Sequence, residues 1–159
     1  MLDVLAQRRS LWIAFVATVL LALTFPQLEA HYDISLVDAL SDPTQVRAVI
    51  EDMTPEQRRA HVWTTATVDV AYPLAYGSLF VGSVLAFFGR LGRFLAPVLL
   101  VVVPVDLVEG VVQILALTNT YDFVDGKAVL TPLKFALAFT GLALTVLGWL
   151  VWSVRWLRR

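Results

Sequence analysis

The sequence predicts an all-α integral membrane protein, a four-helix bundle that forms one transmembrane domain over residues 1–159. Three observations favour this fold class. Hydrophobic residues make up 58% of the chain, charged residues make up only 16%, and four apolar stretches are long enough to cross a bilayer. Soluble proteins average roughly 25% charged residues, and a hydrocarbon core about 30 Å thick needs about 20 apolar residues per helix.

The apolar stretches set the boundaries that we expect for the helices. In chain order, the transmembrane helices are predicted at residues 11–25, 62–88, 94–118 and 132–153. Pro26 is expected to close the first helix, because proline lacks the backbone N–H that a helix interior needs. Arg8-Arg9 before a short apolar run also resembles a secretory signal peptide. Leu28-Glu29-Ala30 is a poor cleavage site, however, so we expect a true first helix.

The distribution of charge predicts the orientation. The N-terminal tail, the 89–93 link and the C-terminal tail contain seven arginines and one acid, Asp3, whereas residues 28–61 contain seven acids and three arginines. The positive-inside rule therefore places both termini in the cytoplasm. We expect a multi-pass protein of the cell inner (plasma) membrane, with outer loops at residues 26–61 and 119–131.

The first outer loop is expected to contain short amphipathic helices. Asp42-Pro43 is typical of a helix start, and that helix should end at about Asp52. Thr54 and Gln57 have the spacing of a capping box, with Thr54 at the N-cap. The helix that begins there can continue unbroken into the second transmembrane segment.

The second outer loop has a different pattern. Asp125-Gly126 lies between two short runs with β-propensity, which predicts a small hairpin. Thr131-Pro132 then has the N-cap and first-turn proline that typically begin a helix, here the fourth transmembrane helix.

Composition excludes several classes of site. The chain has no cysteine, which excludes disulfides, thiolate metal sites and thiol nucleophiles. Two histidines cannot form a three-histidine zinc centre. A net charge of −1 without a basic stripe gives no reason to expect a nucleic-acid partner. No sequence motif of a phosphate loop, a zinc protease or a serine hydrolase is present, and we expect neither a cofactor nor a metal.

Four ionisable residues lie inside the predicted transmembrane segments: Asp69, Asp106, Glu109 and Lys134. Each costs roughly 2.5–3.5 kcal/mol at the centre of the bilayer, which indicates pairing or function. Asp69 lies seven residues inside the second helix, about 10 Å deep at 1.5 Å per residue. The other three fall at similar depths, between the outer surface and the mid-plane.

Polar residues also share helix faces. At the spacing i, i+3, i+7, one stripe of the third helix and one stripe of the second are polar. Together with Lys134 they form the candidate ligand-binding set: Asp69, Tyr72, Tyr76, Asp106, Glu109, Gln113 and Lys134. Three acids against one base favour a bound cation, a proton or a basic ligand, and a buried network that only holds the helices in register is the alternative. His31 and His61 in the first loop are peripheral candidates.

Residues Val68–Gly77, Pro104–Gly110 and Leu133-Lys134 resemble a group of bacterial four-helix membrane proteins that have no assigned function. The pattern of that group is Asp-x-x-Phe/Tyr-Pro-x-x-Tyr on helix 2, Asp-x-x-Glu-Asn on helix 3 and a lysine that opens helix 4. The resemblance covers residues 58–134. Gly110 stands in place of the asparagine and removes one hydrogen-bonding side chain. The resemblance implies no particular activity.

A weaker likeness is to the sterol-isomerase and sigma-2-receptor family, four-helix proteins whose intramembrane acids bind lipophilic amines or sterols. Residues Glu109–Gln113, followed by Thr120–Phe123, are similar to one segment of that family. The order of the helices differs, so this likeness implies a type of pocket and not membership.

Three functions are compatible with these residues. The first is binding of a small lipophilic or cationic ligand in an outward-facing acidic pocket within the membrane. The second is a non-catalytic accessory or assembly subunit, which would form a homo- or hetero-oligomer. The third is a membrane enzyme that uses carboxylate acid–base chemistry on a lipid-like substrate. Beyond the lipid bilayer itself, the sequence identifies no partner.

Overall fold

The computed structural model of the chain describes residues 4–157, and it describes side chains up to residue 154. Asp3, Arg158 and Arg159, which entered the charge count for the orientation, lie outside that range. Six helices form the described part: α1 (Arg8–Tyr32), α2 (Pro43–Asp52), α3 (Pro55–Phe87), α4 (Gly89–Leu100), α5 (Val102–Leu117) and α6 (Lys127–Leu157). Two single-turn 3₁₀ helices cover Val37–Ala39 and Val124–Gly126, and residues 4–157 contain no strand, which confirms the all-α class.

Four helical segments are long and apolar enough to cross a membrane: α1, α3, α4 together with α5, and α6. This confirms a helical, multi-pass membrane protein. The loop end of the bundle is the end that carries residues 33–54 and 118–126. The termini end is the opposite end, where α1 begins and α6 finishes.

The first helix is longer than predicted. Pro26 lies inside α1, which continues to Tyr32, so the expected end at residue 25 was wrong. The helix stops instead at Asp33, which has a left-handed φ of 50°. There the backbone N–H groups of Asp33 and Ile34 both donate to the Glu29 carbonyl, an arrangement that commonly terminates helices.

The two helix starts predicted in the first loop are confirmed. The Asp42 side chain accepts a hydrogen bond from the Thr44 N–H at 2.9 Å and caps α2. Thr54 and Gln57 form both halves of a capping box at the start of α3, with bonds of 3.2 and 2.9 Å. From there α3 runs unbroken for 33 residues.

The hairpin predicted in the second loop was wrong. The Asp122 side chain accepts from the Val124 N–H at 3.1 Å, a turn that starts a helical rather than an extended backbone. A 3₁₀ turn follows, and α6 begins at Lys127, five residues before the predicted start at residue 132. Thr131-Pro132 therefore lies inside α6 and does not cap it.

The third transmembrane segment is interrupted where a continuous helix was predicted. Val101 separates α4 from α5 and donates its N–H to the Val98 carbonyl, one residue short of the α-helical pattern. Pro104 explains why the break occurs at Val101, because proline has no N–H to donate to the Leu100 carbonyl and its ring crowds that carbonyl.

Helix α3 is the centre of the bundle, since it packs against α1, α4, α5 and α6. A core of Tyr76, Phe80, Val81, Val84, Ala96, Leu99 and Val102 joins α3, α4 and α5. A second, smaller core at the loop end joins Val37, Val46, Ile50, Met53, Leu117 and Val124. By contrast, Leu11 is the only buried residue of α1, so α1 is the most peripheral of the crossing helices in the described chain.

Candidate functional site

The ionisable residues predicted to lie inside the membrane come together between α3, α5 and α6. Glu109 on α5 is their centre and is fully buried. One of its carboxylate oxygens lies 2.5 Å from Lys127 Nζ and also accepts a hydrogen bond from Thr131 Oγ1. The other oxygen lies 2.5 Å from Lys134 Nζ. One carboxylate therefore pairs with two buried ammonium groups that both come from α6.

Asp106 lies one helical turn further towards the termini end. Its Oδ2 accepts a hydrogen bond from the Tyr76 hydroxyl at 2.5 Å, and its Oδ1 lies 3.2 Å from Lys134 Nζ. The predicted stripes of α3 and α5 thus meet at this pair. Tyr72 stacks edge-on against Tyr76, with ring centroids 5.0 Å apart, and against Phe25 of α1 at 5.3 Å.

A further acid enters the cluster from the first loop. Asp38, on the 3₁₀ turn Val37–Ala39, accepts a hydrogen bond from Gln113 Nε2 at 3.0 Å and shares a hydrogen bond with Asp69. Burial disfavours its ionisation, but the nearby Lys134 ammonium and the hydrogen bonds from Asp69 and Gln113 outweigh burial, so the pKa of Asp38 is lowered. A hydrogen bond between two carboxyl groups requires one proton, which Asp38 and Asp69 share.

Asp38 belongs to residues 33–42, the cap segment, which covers the loop end of the bundle. Hydrogen bonds anchor it at three points. Leu36 N–H donates to Glu29 Oε1 at 3.1 Å, Val37 N–H donates to His61 Nε2 at 3.2 Å, and Gln57 Nε2 donates to the Asp33 carbonyl at 2.5 Å.

The two histidines have different positions. His61 is fully buried, and its Nδ1 lies 3.2 Å from Thr65 Oγ1. Because its Nε2 accepts from Val37, the ring proton belongs on Nδ1, and His61 positions the cap segment as a neutral imidazole. His31 lies exposed on the last turn of α1 against Tyr32.

We expect His61→Ala to loosen the cap segment. The Val37 N–H would lose its partner inside a buried site, which costs about 1–3 kcal/mol. Hydrogen exchange of the amides in residues 34–40 should become faster in the variant. His31→Ala is the matched control and should leave that exchange unchanged, and equal protection in His61→Ala and the native protein would contradict this role of His61.

A cavity of about 510 Å³ adjoins the acids, between α1, α3, α5 and α6. Its polar end is lined by Glu29, Asp38, Asp69, Tyr72, Tyr76, Asp106 and Lys134. Apart from Thr18, the rest of the wall is apolar: Phe15, Val19 and Phe25 from α1, Leu36 and Ala39 from the cap segment, Leu79 and Phe80 from α3, and Phe135, Ala138, Phe139 and Leu142 from α6. The cavity is thus acidic towards the loop end and hydrocarbon-like towards the termini end.

The charge of the whole cluster is negative by count. Three buried acids (Asp69, Asp106 and Glu109) and the half-buried Asp38 face two buried lysines (Lys127 and Lys134). One proton is shared by Asp38 and Asp69, so the acids carry three negative charges against the two positive charges of the lysines. The cluster therefore keeps an excess of negative charge. Within the described residues, no group of His, Asp and Glu side chains has the arrangement of a metal site.

Sequence reasoning missed Asp38, Lys127 and Thr131 as members of the cluster. Lys127, Thr131 and Lys134 are spaced i, i+4, i+7, so one helix face joins them, but the hairpin prediction placed the first of them in a strand. Asp38 lies in a loop without periodicity, and no local signal distinguishes it from the other loop acids.

No known protein family, curated protein or solved structure matches this chain. The two resemblances drawn from the sequence therefore stay predictions.

Proposed function

We propose that this protein binds a small amphipathic molecule inside the membrane, with a cationic head beside Asp38 and Asp69 and an apolar body in the rest of the cavity. The shape and lining of the cavity support this function. Ligand sites usually have volumes of roughly 300–1,000 Å³ and mostly apolar walls with a few converging polar groups. A volume of about 510 Å³ with its acids at one end fits that description.

The proposal rests mainly on Asp69, a buried acid of the cavity wall that has no basic partner among the described residues. It is only 9% exposed and lines the cavity, yet it forms no ion pair with any described lysine or arginine side chain. Its neighbour Asp38 is also an acid, and two adjacent carboxylates can be buried only if a proton or another cation lies between them. The head group of a ligand can replace that proton without burying an additional net charge.

The alternative of an accessory or assembly subunit has one observation in its favour. Glu109 is paired with both lysines and Thr131, and Asp106 is paired with Tyr76 and Lys134, as expected of a network that holds helices together. A purely structural network would, however, give Asp69 a basic partner as well. The open cavity beside Asp69 also has no role in that alternative.

Substitution of Asp69 tests the proposed function. The probe is radiolabelled dodecylamine, added to the protein in lipid nanodiscs. We expect Asp69→Asn to weaken binding of the amine by about 10- to 100-fold, because a charge-assisted hydrogen bond contributes about 1.5–3 kcal/mol and each 1.4 kcal/mol is about tenfold in affinity.

Asp52→Asn, which removes an exposed carboxylate at the end of α2, is the matched control and should bind dodecylamine as the native protein does. Dodecanol, which has the same chain without a cation, should not distinguish native protein from Asp69→Asn. Native-like affinity of Asp69→Asn for dodecylamine would refute the proposal.

We also infer that both termini lie in the cytoplasm and that the loop end faces the outside of the plasma membrane, on the charge distribution of the loops and tails. The bound head group would then lie in the outer half of the bilayer. Labelling of single cysteines introduced at Asp52 and at Arg90, with a reagent that does not cross the membrane of intact cells, tests this orientation. The inference requires Asp52→Cys to react and Arg90→Cys to stay protected.

A further inference from the structure

The apolar end of the cavity has an exposed rim. Val19 of α1 and Phe139 and Leu142 of α6 line the cavity and are 40%, 65% and 49% exposed. All three lie within segments long and apolar enough to cross the membrane. Exposed apolar side chains at that level contact lipid, so the cavity meets the bilayer along the flank between α1 and α6.

The two helices that border this flank touch at their termini ends. Trp149 of α6 contacts Trp12 and Phe15 of α1, with ring centroids 5.0 and 6.2 Å apart. From this aromatic contact towards the loop end, the cavity separates α1 from α6. Helix α1 packs chiefly against α3 and buries only Leu11 in the described chain, so few contacts hold α1 to α6 along this flank.

The loop end of the cavity is covered by the cap segment. Its Val37 is fully buried in the small core of the loop end, and its Asp38 is held by Gln113 and Asp69. On the far side of the cap segment, the Leu40 carbonyl oxygen lies 3.5 Å from Thr131 Oγ1, whose proton is donated to Glu109. Access from water would require these contacts to break together, whereas the flank is bordered by lipid-facing side chains alone.

We infer that the ligand is a bilayer-resident amphiphile that reaches the cavity sideways from the lipid, through the gap between α1 and α6, and not a water-soluble cation that arrives through the loop end. This inference rests on the proposed function. The chain of such a ligand moves from lipid to a cavity of similar polarity, so its transfer contributes little to affinity. Selectivity then comes from the head group, which explains why the acids lie at the closed end of the cavity.

Cross-linking across the gap tests this inference, and the absence of native cysteines makes the labelling specific. A Val19→Cys, Leu142→Cys double variant is treated with a flexible bis-maleimide either before or after loading with radiolabelled dodecylamine in nanodiscs. Bridging before loading should slow uptake by at least about tenfold, and bridging after loading should slow release by a similar factor, equivalent to about 1.4 kcal/mol in each barrier.

The same double variant treated with a monofunctional maleimide is the matched control, because it carries similar mass without the bridge, and its exchange should stay close to that of the untreated variant. Uptake and release that are unchanged by bridging, or ligand expelled on bridging, would overturn lateral access. Slower uptake after a bulky maleimide is attached to Ser35→Cys, an exposed position of the cap segment that does not line the cavity, would also overturn it. Failure of the untreated double variant to bind dodecylamine at all, when matched by the native protein, would instead refute the proposed function.

Discussion

Glu109→Gln is expected to destabilise the protein by about 3–5 kcal/mol, the cost of leaving a buried charge without its partner. Lys127 is fully buried, and Glu109 is the carboxylate with which it pairs. A neutral glutamine would leave that ammonium uncompensated. Lys134 would retain Asp106 at 3.2 Å, so the loss is concentrated on Lys127.

Substitution of the partner lysine should destabilise the protein less than Glu109→Gln. Lys127→Met leaves Glu109 with Lys134 at 2.5 Å and with the Thr131 hydroxyl. The double variant Glu109→Gln, Lys127→Met should therefore be more stable than Glu109→Gln alone, because replacing both members of a buried pair avoids the unpaired charge.

Reversible unfolding in mixed micelles, followed by tryptophan fluorescence, measures these differences. Glu51→Gln, an exposed acid of α2, is the control and should change the free energy of unfolding by less than about 0.5 kcal/mol. Equal destabilisation by Glu109→Gln and Lys127→Met, with no recovery in the double variant, would contradict the assignment of Glu109 as the shared partner.

Gly92→Ala is expected to cost about 3 kcal/mol, the upper end of the range for overpacking. A Cβ atom at position 92 would overlap the Val84 backbone carbonyl, where α4 folds back on α3. A side chain can rotate away from such a contact, but a helix backbone cannot. The two helices would have to separate, which would disturb the core that contains Ala96 and Leu99.

Gly126→Ala is the matched control for this substitution. The nearest atom to a Cβ at position 126 is Leu130 Cδ1 at 3.8 Å, an ordinary contact, and Gly126 lies in a 3₁₀ turn. Unfolding in the same micelles should show a change within about 0.5 kcal/mol for Gly126→Ala. Comparable losses in the two alanine variants would mean that the α3–α4 contact has no special role.

The fold was predictable from the sequence because a long apolar stretch has few other solutions in a membrane. The helix starts at Asp42 and Thr54 were also predictable, since a cap depends on residues two or three positions apart. The errors came from helix ends that depend on local backbone geometry and not on one residue type. Pro26 was expected to end α1, yet the stop depends on the left-handed Asp33.

The candidate site was predictable only where helix periodicity applies. The spacing on α3 and α5 predicted that two polar stripes face each other, because neighbouring helices bury their polar faces together. In the structure Tyr76 of one stripe donates to Asp106 of the other, which lies 3.2 Å from Lys134. Asp38 joins them through a 3₁₀ turn whose position depends on contacts with His61 and Gln113, 24 and 75 residues away along the chain. Contacts between residues so far apart along the chain produce no periodic pattern in a single sequence, so the position of Asp38 could not be predicted.

Photolabelling tests the proposed binding cavity most directly. The probe is a dodecylamine with a diazirine at the far end of its chain, added to the protein in nanodiscs. The labelled residues are then mapped by mass spectrometry. The proposed cavity predicts adducts on α1 and α6, at Phe15, Val19, Phe139 or Leu142, which excess dodecylamine and Asp69→Asn both remove. Adducts spread over lipid-facing α4, at Phe94 and Val98, and insensitive to Asp69→Asn would contradict it.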